Sequence, residues 1–378
     1  MKRTMKKMVS MALTGTMAVA VLAGAGTSEV KAADKAKIGV LVADVSGEEA
    51  QGFRSYYENY IAGNYDVEFN YTDALQSAED EKTAIEKFAS QGCQAIISFS
   101  SNDRVQQIET CEKYGVYYAV ASGVLDDAQY ETYKTYEYFA GQVGPGNDTE
   151  FEAGKDMGAY YKEQGVSKVA IYGAFIPNPM HVYRVAGVLN GLGCTYGGES
   201  DMNAIAGQIF QDQTVDLSKV EGDVEVVSYL QGYGDTTTDE LNAAIQKTPD
   251  AFISVGMATT FFAQSLSEAG ISFSDIDSFT ETNGNSMKNG TLTYLAGKYS
   301  SSIGPVFALV MNAINGNVIR DEDGNAPSIS QGYLVATDSD TFDKYSVSDS
   351  GDAPIYDKET LDSIIGCLLY TSPSPRDS

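Results

Sequence analysis

The chain has 378 residues, with 25 basic against 52 acidic side chains and a formal net charge of −27 at pH 7. So acidic a surface repels phosphate backbones and anionic bilayers, which sets nucleic-acid binding aside. Four cysteines, one of them near the end of the chain, do not make a disulfide framework, and a single histidine offers little for acid–base or metal chemistry.

The N-terminus carries Lys2, Arg3, Lys6 and Lys7, then the apolar run Met17–Ala25, then Val30-Lys31-Ala32. This is the layout of a secretory signal over residues 1–32, cut after Ala32, and its apolar run is too short to span a bilayer. Leu22-Ala23-Gly24-Ala25 resembles a bacterial lipoprotein box with alanine in place of the lipidated cysteine. The mature protein is therefore expected outside the cell.

Ile38–Val42 reads as a strand buried on both faces, and Ala50, Phe53, Tyr57 and Ile61 follow at helical spacing. That strand–loop–helix unit recurs. Asp66–Tyr71 is an alternating strand ending at Thr72-Asp73, and Glu79–Ser90 is a helix. Ala95–Ser98 runs into Ser100-Ser101-Asn102-Asp103, a helix-capping sequence, and Val116–Ala121 closes at Ser122-Gly123. Leu125–Tyr138 has no clear period and reads as a passage to a second half. There Phe139–Val143 is a short strand, and Thr149 with Glu152 marks a capping box for a helix to Glu163. Strands at Val169–Tyr172, Val224–Tyr229 and Phe252–Val255 alternate with helices at Val182–Leu192 and Asp239–Gln246. Helix Thr259–Ala269, strands Asp277–Thr282 and Leu292–Leu295, and helix Gly304–Ile314 follow. Strands alternating with helices in this way predict an α/β protein of two doubly wound parallel-sheet lobes with a hinged cleft. The expected division is 33–122 with 256–297 as one lobe and 123–255 with 298–345 as the other, 346–366 being a surface segment. Cys367–Ser378 breaks the pattern abruptly and resembles a translated sequencing adapter, so 367–378 is set apart from the fold.

The order IGVLVAD, EKFASQGCQAIISF, VSKVAIYG with YRVAGVLNGL, KTPDAFISVGMATTFFAQSLSEAG and IGPVFALVMNAINGN resembles the type I periplasmic-binding-protein family, closest in layout to its sugar-binding branch. The resemblance runs from Lys37 to about Gly316. It implies two lobes joined by three crossovers, closing on one small molecule that is delivered to an ABC permease, with no cofactor or metal and the protein a monomer. It also implies that Arg184, in YRVAG, donates paired hydrogen bonds to a polar ligand. The acid–base pair the family places after its fourth strand is here Ser122-Gly123, and its Asn-Asp pair is here Gly256-Met257. Ser122 and Met257 are therefore site positions without the usual groups.

In parallel sheets ligands sit beyond the carboxyl ends of the strands. Asp44, Ser46, Asp73, Asn102, Gln142, Gln231, Glu281 and Asn283 lie there and are the polar candidates, with Phe175 and Tyr233 as stacking surfaces. A sugar or sugar derivative is the expected solute. A nucleoside- or amino-acid-like solute is the alternative, as is a sensor that presents its ligand to a membrane kinase or chemoreceptor. No Ser–His–Asp, paired-cysteine metal or phosphate-loop spacing points to an enzyme. Cys93 and Cys111 lie toward the same edge, either as a pair or as buried free thiols.

Overall fold

The computed structural model describes residues 35–349 and 353–366. The expected signal segment and the tail from Cys367 lie outside the described residues. The first series is β1 (Ala36–Leu41), α1 (Glu48–Ser55), a π-helical turn (Tyr56–Ile61), α2 (Ala62–Asn64), β2 (Val67–Tyr71), α3 (Ala78–Ser90), β3 (Ala95–Ser98), α4 (Arg104–Tyr114), β4 (Tyr117–Ala121), α5 (Asp127–Tyr133) and β5 (Phe139–Gly144). The second is α6 (Asn147–Glu163), β6 (Lys168–Tyr172), α7 (Pro179–Gly191), β7 (Thr195–Tyr196), α8 (Met202–Asp212), β8 (Val220–Glu221), β9 (Glu225–Leu230), α9 (Asp235–Gln246), β10 (Ala251–Ser254), α10 (Ala258–Ala269), β11 (Ser272–Ser278), α11 (Glu281–Lys288) and β12 (Leu292–Lys298). The chain closes with α12 (Gly304–Ile314), β13 (Ser328–Ser330), β14 (Leu334–Ala336), α13 (Ser339–Asp349) and α14 (Lys358–Ile364).

Two six-stranded sheets result, ordered β13-β5-β4-β3-β1-β2 and β14-β12-β11-β10-β6-β9, while β7 pairs only with β8. Pairing is parallel throughout both sheets except for β14, which runs antiparallel on β12. Each sheet therefore reverses its winding beside its first strand, where β1 lies between β2 and β3, and β6 between β9 and β10. Helices cover both faces, so the central strands are buried on both sides. Every residue of β3 and β10 is buried. The expected cap before α4 forms, with Asp103 accepting from the Gln106 N–H at 2.9 Å. The capping box at Thr149 does not: α6 begins at Asn147 after Gly146, and the Thr149 hydroxyl instead meets Ser330 at 2.6 Å.

The lobe division read from the sequence is corrected. β5 pairs with β4 in the first sheet, and Leu125–Tyr138 stays in that lobe, with Leu125, Tyr133 and Phe139 in one core. Residues 256–297, expected in the first lobe, build α10, β11, α11 and β12 of the second sheet. α12 belongs conversely to the first lobe, where Val306, Phe307 and Val310 pack with Ile38, Ala95 and Ala119. A strand buried on both faces looks the same whichever sheet it enters, so the apolar runs do not reveal their lobe. The chain crosses between the lobes after β5, after β12 and after β13, and again between α13, which packs on the second lobe, and α14, which packs on the first. Residues 346–366 are also more than surface. Leu361 of α14 is fully buried against the first lobe, Tyr56 donates to the Tyr356 carbonyl at 2.6 Å, and the Asn312 amide donates to that of Ile364 at 3.0 Å. Cys93, Cys111 and Cys194 are buried free thiols.

α6 and α7 meet backbone to backbone through glycines. A Cβ at Gly154 would lie 2.0 Å from the Arg184 carbonyl oxygen, and one at Gly187 would lie 2.0 Å from that of Phe151. Gly158 and Gly191 are similarly close, at 2.4 Å from Val188 O and 2.1 Å from Lys155 O.

Candidate ligand-binding site

Loops at a winding reversal diverge and leave a crevice. The reversal of the first sheet opens on a cleft of about 1030 Å³ between the lobes. The first lobe contributes Asp44, Phe53, Tyr71, Phe99, Arg104, Ser122, Gly123 and Gln142. The second contributes residues 147–150 and 178–180, with Tyr183 and Phe210. Aromatic pairs stand on both walls. Phe53 stacks on Phe99 with centroids 5.4 Å apart, and Tyr183 meets Phe210 edge-on at 6.4 Å. The Tyr71 hydroxyl is buried there without a hydrogen-bond partner.

Of the residues expected from sequence, Asp44, Ser122 and Gln142 line this cleft. Asp44 is engaged from within: the N–H groups of Ser46 and Gly47 donate to it at 2.9 and 3.0 Å and hold its carboxyl below the ordinary range. Ser46 serves that turn, its hydroxyl also on Asp44 at 3.1 Å. Gln142 is buried, accepting from the Leu125 N–H and donating to Ser328, so its amide ties strands together.

Arg184 is not open to the cleft, which corrects the expected ligand donor. It is 2% exposed, with Nε on Glu150 at 2.6 Å, Nη1 on the Val255 carbonyl at 2.8 Å and Nη2 on the Tyr333 hydroxyl at 2.7 Å. Burial disfavours its charge, but Glu150 and Tyr333 outweigh burial and raise its pKa above the ordinary value. The close approach of α6 and α7 makes this pair, because it brings Glu150 against Arg184.

The remaining expected residues lie elsewhere. Asp73 and Glu281 are exposed. The Asn102 amide donates to Glu81 at 3.1 Å, and that of Gln231 to the Gln213 carbonyl at 3.1 Å. Asn283 is fully buried, donating to Asp277 and to the Ser278 carbonyl. Phe175 and Tyr233 meet edge to face at 5.6 Å, and Tyr233 stacks on Phe261 at 5.9 Å. Those rings and Met257 follow the ends of β6, β9 and β10 but do not line the cleft. His181 Nδ1 lies 3.1 Å from the Phe175 N–H, which donates to it, and 3.4 Å from the Phe175 carbonyl oxygen. Burial, then Arg184, push its pKa down to about 3 and keep it neutral.

Arg104 is the functional candidate the sequence reading passed over. It opens α4 and lines the cleft, its Nη1 donating to the Val124 carbonyl at 2.7 Å. Its Nε is buried without a partner. A Cβ at Gly123 would lie 2.8 Å from its Nη2. The guanidinium thus fills the space beside β4 where the resemblance leads one to look for an acid–base pair. The available signal was a glycine at that position together with a cation opening the helix after the neighbouring strand.

Below the second reversal Asp275 is fully buried, with the Ser254 hydroxyl and the Thr259 N–H donating to it at 2.9 Å each. Burial, then the charge of Asp277, push its carboxyl up to about 8. A carboxyl raised on folding stabilises only while protonated. Its contribution is complete below the unfolded value of about 3.9 and is lost as pH rises through the folded one. Stability is therefore expected to fall from pH 5 to 8.5, and Asp275→Asn to flatten that slope, measured by urea unfolding across the range. An equal slope in the variant would place the pH dependence on another group.

No protein-family model and no curated protein matches the chain. Solved structures do match in fold. The periplasmic binding component of the arabinose ABC transporter from Shewanella sp. ANA-3, bound to L-arabinofuranose, is similar over 89% of this chain and 100% of its own, with TM-score 0.58 and 15% identity. A periplasmic solute-binding protein of an ABC transporter from Actinobacillus succinogenes 130z, with bound D-allose, aligns with 82% of this chain and 100% of its own, at TM-score 0.61 and 16% identity. A Caulobacter myo-inositol-binding protein covers 82% of this chain and 96% of its own, at TM-score 0.58 and 13% identity. The architecture of this chain is thus the type I periplasmic-binding-protein fold.

Proposed function

We propose that the protein is a secreted solute-binding receptor of an ABC importer, a monomer that closes its lobes on one small hydroxylated solute and presents it to a membrane permease. The inter-lobe cleft carries this reading: it opens at the winding reversal of the first sheet, has an aromatic pair on each wall, and separates two lobes joined by crossovers able to act as a hinge. Sugar faces stack on such rings. Small-molecule sites typically measure about 300–1,000 Å³, so a cleft at the top of that range encloses a single ring only once the lobes approach. The similar structures named above hold arabinofuranose, allose and inositol, all hydroxylated rings, which supports the same solute class here.

The test is a thermal-shift screen of sugars, polyols, nucleosides and amino acids, with small-angle scattering on each hit. A solute at 100 times its Kd adds about 2.7 kcal/mol of stability and should shrink the radius of gyration. Phe99→Ala should weaken that solute. A nucleoside or amino acid as sole hit replaces the solute class, and turnover of any hit sinks the receptor reading.

A further inference from the structure

We infer that the solute selected by this cleft carries a carboxylate that meets the guanidinium of Arg104, an inference that rests on the receptor reading above. What carries it is Arg104 itself, the cation left without an anion in a wall that also holds Asp44, Asp126, Asp127 and Asp148. Among the described residues the cations lining the cleft are Arg54, Arg104 and Lys298. Arg54 is paired with Glu58 at 2.9 Å, and Lys298 with Glu49 at 3.1 Å. Arg104 makes no ion pair. Its hydrogen bond goes to a carbonyl, its Nε has no partner, and its neighbour carboxylate Glu81 is saturated by Ser100, Asn102 and the Asp103 N–H. Burial lowers its pKa, the reverse of Arg184, whose carboxylate raises it.

A half-buried guanidinium without an anion loses its remaining water when a solute covers it, and a carboxylate is its geometric complement. Phe53 and Phe99 line the same wall of the cleft and offer a ring face. One guanidinium balances one negative charge. A phosphate ester brings about −1.5 to −2 into a cleft whose other charged groups include several acids, so the carboxylate is the better match. The class is a sugar acid, a hydroxylated ring or chain ending in a carboxylate.

Titration calorimetry on the intact protein tests this with galacturonate and glucuronate against galactose and glucose, and with galactose 6-phosphate as a third arm. The acids should bind at least about tenfold tighter than their neutral parents, the range for a hydrogen bond to a charged group. Arg104→Gln should erase that preference, and Arg104→Lys should keep part of it because the charge remains while the fork is lost. Should Arg104→Gln fail to fold, the Lys variant and the acid-to-parent ratio of the wild type still decide. Neutral sugars binding as tightly as their acids, a preference that survives in Arg104→Gln, or the phosphate binding tightest overturns the inference and leaves a receptor standing. Failure of every compound to bind overturns the sugar-receptor reading with it.

Discussion

Arg184→Ala is expected to destabilise the free protein by about 3–5 kcal/mol, the usual consequence of removing one partner from a buried ion pair. The other partner, Glu150, is itself 3% exposed and would keep only Tyr333 as a donor, at 2.9 Å. The lost guanidinium also leaves the Val255 carbonyl without its 2.8 Å donor. Urea unfolding of Arg184→Ala, Glu150→Ala and the double replacement Arg184→Met with Glu150→Leu separates the causes. The double variant should recover most of the loss, because it removes both charges rather than stranding one. Solute affinity of folded Arg184→Ala should change far less than its stability. A variant as stable as wild type but tenfold weaker in binding would restore Arg184 as the ligand's donor.

The second large effect belongs to the contact between α6 and α7. Gly187→Ala should prevent folding or cost at least about 3 kcal/mol, the upper end for overpacking. The obstacle is backbone, since the added Cβ would face Phe151 O at 2.0 Å and Lys155 N at 2.8 Å, and no rotamer relieves it. Gly207→Ala is the control. Gly207 is also helical, in α8, and has nothing within 4 Å of the added atom. That substitution should be neutral or stabilise by about 0.4–1 kcal/mol through the unfolded chain. Equal outcomes at Gly187 and Gly207 would mean that the helices can part at little cost.

These two sites show where sequence reasoning reaches and where it stops. The apolar runs of β1, β3, β6 and β10 are visible because burial on both faces leaves an unbroken pattern in the chain. Strand and helix order, and hence the two-lobed α/β class, follow from it. Which sheet β5 or β11 joins is decided by partners far along the chain, and the run itself does not record them. Arg184 stands in a motif that resembles a ligand contact, but its fate is set by Glu150, on another helix. Arg104 shows the converse: its vacant neighbour is Gly123, on another strand, and only the fold brings them together. The spacing Gly154 to Gly158 and Gly187 to Gly191 is plain in the sequence, yet its meaning depends on the two helices facing each other.

The glycine contact bears on how a cleft of this build changes over generations. The tips of α6 and α7 reach the cleft at Glu150 and Tyr183, while their shafts touch through main chain with no side chain between. Drift in side-chain size has nothing to act on along that seam, so the spacing of the two tips is inherited almost as a constant. Change is expected instead in what the tips carry, such as Asp148, Met180 and Tyr183, and on the opposite wall around Arg104. A lineage can thus exchange the chemistry it reads one residue at a time, on a frame that no single viable substitution along the seam can widen.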